Sequence, residues 1–285
     1  LRYGIPRYRL PAEVLDAEIQ RILDLGVDLR CNTVVGRDVT LDDLRRDYKA
    51  VFVGIGAHKG LTLGIPGEDA SNVFTGTEFL NHVNSGESVE IGDRVIVIGG
   101  GDTAIDAARV SHRLGAHVTV LYRRTRAEMP AIKPEIEGAL EEGVEIEYLA
   151  APVEILRTNG RAVGMRCIRM DLGEPDKSGR PRPVSRAGSE FDVPATSIIA
   201  AISQEPDFGP LPGLHEGKEW IKADAWGATP LPGVFSGGDD IGLGLVSIAI
   251  GQGRFAAEAI DARLRGTAPV RPVVGPPISH ERMKP

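Results

Sequence analysis

Residues 94–121 decide the fold: Arg94-Val-Ile-Val-Ile98, then Gly99-Gly-Gly101, then Asp102-Thr-Ala-Ile-Asp-Ala-Ala-Arg-Val-Ser-His-Arg-Leu114, then Gly115-Ala116 and His117-Val-Thr-Val-Leu121. After Arg94 the first run is short, branched and apolar at every position, as a strand covered on both faces requires. The glycines end it. The next stretch carries apolar residues at helical spacing and stops at Gly115. The last run reads as a second strand. Strand, glycine turn, helix and strand in this order begin a βαβ unit with a parallel sheet.

The turn itself has chemistry. Gly99-x-Gly101-x-x-Ala104 is a dinucleotide fingerprint in its full strand–turn–helix context. Gly99 permits the tight turn, Gly101 lets the backbone approach a pyrophosphate, and Ala104 lets the helix sit close to the strand. The pyrophosphate rests on the helix N-terminus, where unpaired N–H groups and the helix dipole favour an anion. The end of the second strand then selects the cofactor. A site for NAD usually places an acid there to hold the ribose 2′-hydroxyl. Here Leu121 is followed by Tyr122-Arg123-Arg124. Two guanidiniums suit a 2′-phosphate, so NADP(H) is expected, with NAD(H) as the alternative and Arg126 as a further contributor.

Outward from this unit, apolar residues Val14, Leu15, Ile19, Ile22, Leu23 and Leu25 form a helical stripe within residues 13–25, stopped by Gly26. Val27-Asp-Leu-Arg-Cys31 alternates like a strand, Leu41–Tyr48 reads as a short polar helix, and Ala50–Ile55 reads as a buried strand. The same order recurs later: a helix at 134–142, an alternating run at 144–148, a strand at 197–202. Each copy ends in a Pro-Gly loop, at Pro66-Gly67 and at Pro212-Gly213. The second copy is longer and holds a small β meander near 161–171 and 189–193, with a polar hairpin at 173–188. This echo predicts two related nucleotide-binding units, one nested in the other.

Composition narrows the partners. The 285 residues carry 33 Lys and Arg against 40 Asp and Glu, a net charge of −7, with aromatics at 5%. That balance, without a basic run, argues against a nucleic-acid groove. The longest apolar runs fall far short of the ~20 residues of a membrane span. Cys31 and Cys167 form no CxxC, which excludes a Cys-rich zinc or iron–sulfur site within the chain and gives no sign of an oxidising compartment. No signal pattern opens the chain, so a soluble cytoplasmic protein is expected. It starts at Leu1 inside what reads as a loop, as a piece of a longer protein would. Gly213–Lys218 is one residue too short for a P-loop, and Asp102 and Asp106 read as partners of the helix dipole.

A third constellation is Leu231-Pro-Gly-Val-Phe-Ser-Gly-Gly-Asp239, a short strand delivering a Gly-Gly-Asp turn, followed by a glycine-containing helix over Leu245–Ile260. Together with Tyr3-Gly-Ile-Pro-Arg-Tyr-Arg-Leu-Pro11, Gly64-Ile-Pro-Gly-Glu68, Gly99–Ala104, Tyr122–Pro130 and Gln204-Glu-Pro206, it resembles the flavoprotein small-subunit family of bacterial glutamate synthase. It is also similar to the nicotinamide-binding part of dihydropyrimidine dehydrogenase. The resemblance runs through nearly the whole chain. It implies an α/β protein of two nested Rossmann-like domains of the pyridine nucleotide-disulfide oxidoreductase type. The expected division is a partial FAD-binding domain over 1–90, an NAD(P)-binding domain over 91–203, and the rest of the FAD-binding domain with a tail over 204–285.

By residue, the resemblance implies that Gly99, Gly100, Gly101, Asp102, Thr103, Ala104, Arg123, Arg124 and the strand end Ala201-Ile202-Ser203 contact NADP. It implies that Arg9, backbone near Val35, the turn Gly238-Asp239 and the helix start Val246-Ser247 contact FAD. It also implies hydride transfer from NADPH to FAD and electron flow to a partner carrying iron–sulfur clusters. No side chain is expected to act as acid or base, and no metal site is expected in this chain. The first FAD fingerprint and the family's cluster cysteines are absent, so the FAD half is expected to be incomplete and to hold FAD weakly alone. Two other readings stay open: an NAD(P)H-binding regulatory or assembly module without turnover, and a flavin monooxygenase-like enzyme.

Overall fold

The computed structural model describes residues 1–176, 179–209, 211, 213–214 and 220–271. Most of the Gly213–Lys218 segment, Pro212 of the second Pro-Gly loop and the end of the expected tail lie outside the described residues. In chain order the elements are α1 (Ala12–Leu23), α2 (Leu41–Asp47), β1 (Val51–Val53), β2 (Lys59–Gly60), β3 (Val73–Thr75), α3 (Gly76–Asn84), β4 (Arg94–Ile98), α4 (Asp102–Arg113), β5 (His117–Tyr122), α5 (Lys133–Glu141), β6 (Glu145–Tyr148), β7 (Ala150–Thr158), β8 (Arg161–Pro175), β9 (Pro181–Pro194), β10 (Ser197–Ala200), β11 (Gln204–Glu205), β12 (Val234–Ser236) and α6 (Val246–Arg265).

Two compact units divide the chain, Leu1–Leu29 with His58–Glu205, and Arg30–Ala57 with the residues from Pro206 onward. In the first unit five strands form one sheet in the order β3-β10-β4-β5-β6, parallel at every pairing. Side-chain alternation sorts its residues to two faces. Val95, Val97, Val118, Val120 and Ile199 pack in one core with residues of α3, α4 and α5. Ile96, Ile98, Leu121 and Ile198 pack in a second with Ile155, Met165 and Cys167 of the antiparallel meander β7-β8-β9. Each such buried side chain contributes about 1.5–3 kcal/mol, which is why this sheet tolerates no polar residue at β4 after Arg94. The meander expected near 161–171 and 189–193 is present, with strands longer than the sequence suggested.

The expected boundary at 203 lies two residues from the end of the first unit at Glu205, whereas no unit boundary falls at 90. Residues 58–90 pack with the first unit because β3 adds to the sheet as an edge strand, Ile198 to Ala200 opposite Val73 to Thr75. Residues 1–29 join it through an N-terminal strap: Tyr8 lies under the guanidiniums of Arg109 and Arg113, at 4.7 and 3.8 Å. The strand expected at 27–31 is also missing. Val27 and Leu29 are exposed and no ladder includes them. An alternating run becomes a strand only where an edge accepts its N–H and C=O groups, and no described strand offers one. Helix α1 forms but fully buries none of its residues: Val14, Ile19 and Ile22 of its apolar stripe are exposed, while Leu15 and Leu23 are half-buried. Of the first copy of the sequence echo, the helix and the apolar strand at 51–53 are formed and the alternating strand is not.

The second unit carries a two-stranded parallel sheet, Val51 to Val53 beside Val234 to Ser236. Beneath it Leu41, Val53, Leu211, Leu214, Ile221 and Val234 form a small core. Helix α6 adds Ala256 and Ala259 against Phe235.

Candidate functional site

In the first unit the strand order reverses direction at β4, with β10 on one side and β5 on the other. Open α/β sheets bind ligands in the crevice at the carboxyl ends of such a pair. The glycine turn stands there. A Cβ at Gly99 would overlap the carbonyl of Ala201, and its φ of +142° is one that L side chains rarely adopt. A Cβ at Gly100 would overlap the ring of Tyr122. These two glycines are required by packing. Gly101 is not: its φ is −90° and the nearest atom to an added Cβ is Pro130 Cγ at 4.0 Å. What a side chain at Gly101 would fill is open space at the start of α4, whose N-cap carries no side-chain hydrogen bond. The first N–H groups of a helix have no partner within it, so the turn fits a pyrophosphate.

The surrounding residues brace this cradle. The Asp102 carboxylate accepts the Ile132 N–H at 2.9 Å, and the Gly100 carbonyl accepts the Ala131 N–H at 3.1 Å. Ala104 is fully buried, letting α4 close onto the sheet. Thr103 and Ala201 lie where a Cβ on Gly76 would meet them, both at 2.9 Å, so the start of α3 borders the same crevice. Ala201 donates its N–H to Ile98 at 2.8 Å and Ser203 accepts that of Leu61 at 3.0 Å, while Ile202 is exposed. Gly76 and Tyr122 were not singled out from the sequence, although Thr75-x-x-Glu78 is a readable capping box.

The two arginines after β5 do not form a fork. Arg123 is exposed. Arg124 is buried, its Nε–H donating to the Pro181 carbonyl and its Nη2–H to Asp176, both at 2.7 Å. Arg126 reaches Glu137 at 3.4 Å on the surface.

Arg9 is likewise engaged elsewhere than expected. Its Nη1–H donates to Asp106 Oδ2 at 2.8 Å, with Glu135 at 3.5 Å. Asp106 is thus the buried partner of the N-terminal strap rather than a surface charge favouring the helix dipole. Burial pushes its carboxyl up to about 6 against the pull of Arg9. Burial also pushes the Cys167 thiol up to about 12, which keeps it inert.

In the second unit β12 ends in the Gly-Gly-Asp turn. Gly238 has φ +93° and donates its N–H to Gln252 Oε1 at 2.7 Å. Asp239 accepts the Gly244 N–H at 3.1 Å. Helix α6 starts at Val246-Ser247 with no side-chain cap and no acid in its first turn. Leu245, Val246 and Ile248 there are exposed. Val35 forms an isolated bridge with Val39. These residues fit one wall of a flavin nucleotide site. Among the described residues no second glycine fingerprint supplies the opposite, pyrophosphate-binding wall. Asp240, next to the turn, is fully buried, with the Ser236 hydroxyl and the backbone of Ile55 as its polar neighbours.

Comparison with known proteins agrees with this geometry. The chain is 44% identical over 273 residues to the NADP(+)-dependent formate dehydrogenase subunit beta of Moorella thermoacetica, covering 93% of this chain and 39% of that protein. It is 38% identical to the glutamate synthase [NADPH] small chain of Escherichia coli (strain K12), covering 91% of this chain and 60% of that protein. The chain thus spans about half the length of the curated relatives it matches. In fold it resembles Mycobacterium tuberculosis FprA in complex with NADPH, with TM-score 0.75 at 16% identity, covering 95% of this chain and 77% of that one. It also resembles Lactococcus lactis thioredoxin reductase, with TM-score 0.59 at 21% identity, covering 76% and 66%. The model of the pyridine nucleotide-disulphide oxidoreductase family matches residues 6–253. With the glycine turn, the switch-point crevice and the Gly-Gly-Asp turn all inside that span, the chain belongs to the pyridine nucleotide-disulphide oxidoreductase family.

Proposed function

We propose that this chain forms the NADP(H)-binding unit and part of the FAD-binding unit of a flavin-dependent oxidoreductase. It works with a partner protein that carries iron–sulfur clusters. The observation that carries the reading is the uncapped start of α4 beside the open space at Gly101, set at the switch point of the sheet. Gly100 to Thr103 hold the pyrophosphate through backbone N–H groups, and Arg123 meets the 2′-phosphate. The strand end at Ala201-Ile202-Ser203 lines the crevice. In the second unit the Gly238-Asp239 turn, the start of α6 at Val246-Ser247 and backbone near Val35 hold the flavin nucleotide.

When bound, the cofactors supply the redox chemistry, a hydride passing from nicotinamide to flavin and electrons onward to the partner. The chain's own part is to bind, orient and charge-match. An uncapped helix N-terminus at α6 favours negative charge on a group facing it. The subunit designations of the formate dehydrogenase and glutamate synthase relatives support action within a larger assembly. No helix among the described residues is long and apolar enough to cross a membrane.

A second reading, an NADP(H)-binding module without turnover, is favoured by the small parallel sheet of the second unit, two strands of three residues each. Flavin absorbance after desalting separates the two. The first reading expects FAD retained once a glycine-fingerprint unit is supplied before Leu1 or by another chain. Colourless protein in both forms would leave only the module.

A further inference from the structure

Asp102 is the first residue of α4, and it carries a negative charge where the proposed ligand is an anion. A carboxylate in the first turn of a helix suits the helix dipole, but beside a pyrophosphate it has the wrong sign. Its partner accounts for its presence. The Asp102 carboxylate accepts the Ile132 N–H at 2.9 Å, from 30 residues away in sequence. Ile132 is the N-cap residue of α5, which has no side-chain cap of its own. A capping box would satisfy that N–H from the third helical position. Glu135 stands there, but its carboxylate is bonded to Arg109 and lies 3.5 Å from Arg9. Asp102 takes its place from another helix.

The segment that leads into α5 holds the glycine turn at further points. Ala131 donates its N–H to the Gly100 carbonyl at 3.1 Å. Pro130 Cγ borders the open space at Gly101, 4.0 Å from an added Cβ. Tyr122, whose ring packs against Gly100, donates its hydroxyl to the Glu128 carbonyl at 2.7 Å. In a trans peptide the C=O and the N–H point opposite ways. With the Gly100 carbonyl held by Ala131, the direction of the Gly101 N–H is fixed as well. Asp102 anchors the residue next to Ala131, so the two bonds act as one clamp between the starts of α4 and α5.

We propose that Asp102 is a positioning residue for the nicotinamide cofactor: its carboxylate does not meet the cofactor but ties the start of α5 to the start of α4. It thereby holds the Gly100–Gly101 peptide in the orientation in which backbone N–H groups receive the pyrophosphate. What the turn needs at this position is an acceptor for Ile132. The negative charge itself works against the ligand. This inference rests on the NADP(H) reading above.

The test is an equilibrium titration of the wild-type chain, Asp102→Asn, Asp102→Ala and Asp102→Glu with NADP+ and with adenosine 2′-monophosphate, which has no pyrophosphate. Thermal melting checks that each variant is folded. Asn keeps the acceptor and removes the charge, so NADP+ should bind as tightly as to wild type or more tightly. Ala removes the acceptor, and Glu keeps the charge but displaces the acceptor by one methylene. Both should weaken NADP+ about tenfold, and all three should leave adenosine 2′-monophosphate unchanged. Unaltered or tighter NADP+ binding in Asp102→Ala overturns the proposal. So does an Asn variant as weak as Ala, which would make the charge the working part. An equal loss of adenosine 2′-monophosphate overturns it too, as a general structural effect. If Asp102→Ala does not fold, Asp102→Glu against Asp102→Asn gives the same comparison. Failure of the NADP(H) reading shows separately, as wild-type protein that does not bind NADP+, and the proposal falls with it.

Discussion

Replacing Gly101 with Val separates a glycine needed for a ligand from one needed for the fold. The backbone at Gly101 has φ −90° and ψ 176°, an extended conformation that a branched residue adopts without strain. The nearest atom to a new Cβ is 4.0 Å away. The stability cost should be limited to the poorer N-cap preference of Val, up to about 1 kcal/mol. A bound pyrophosphate, by contrast, would lose its close approach to the α4 N–H groups. Each such charge-assisted hydrogen bond is worth roughly 1.5–3 kcal/mol, so NADP+ affinity should fall about 10- to 100-fold or more. Gly99→Ala is the control: its Cβ would overlap the Ala201 carbonyl at φ +142°, and it should destabilise by several times more. Calorimetric titration with NADP+ and thermal melts of both variants give the comparison. If Gly101→Val binds NADP+ normally, or unfolds as readily as Gly99→Ala, the turn is a packing device and the cradle assignment is wrong.

Arg123→Ala should weaken NADP+ far more than NAD+, whereas Arg124→Ala should chiefly lower the melting temperature by removing the buried bonds to the Pro181 carbonyl and Asp176; equal loss of the two cofactors in Arg123→Ala would refute the assignment. Asp240 carries a folded-state pKa of about 6, raised by burial, so the stability it contributes is present below its unfolded value near ~3.9 and is lost as pH rises through about 6. Asp240→Asn should therefore gain stability over wild type at pH 7–8, on the order of 2–3 kcal/mol, and show a flatter pH profile of unfolding; an unchanged difference between pH 5 and pH 8 would contradict this. Asp239→Ala, in a form extended to bind flavin, should loosen FAD and leave NADP+ affinity intact, and a parallel loss of both would show that the two turns do not serve separate cofactors.

The β4–α4–β5 unit was legible because its signals are local: an apolar run, a glycine turn, a periodic helix and a second run, each decided by neighbours in sequence. The same holds for the strand and Gly-Gly-Asp turn at β12. What the sequence hid depends on distant partners. Val27–Cys31 has the alternation of a strand, but alternation cannot show whether an edge exists to receive it. Arg124 and Arg9 read as free guanidiniums until the fold brings Asp176 to one and Asp106 to the other, across 52 and 97 residues. Helix α1 shows the converse: its stripe predicts a helix correctly and says nothing of what covers it.

The most direct test of the account is a titration of the 285-residue chain with NADP+ and with NAD+. The account predicts one site per chain and binding of NADP+ at least about tenfold tighter. Equal affinity for the two cofactors, or no binding of either, would contradict it.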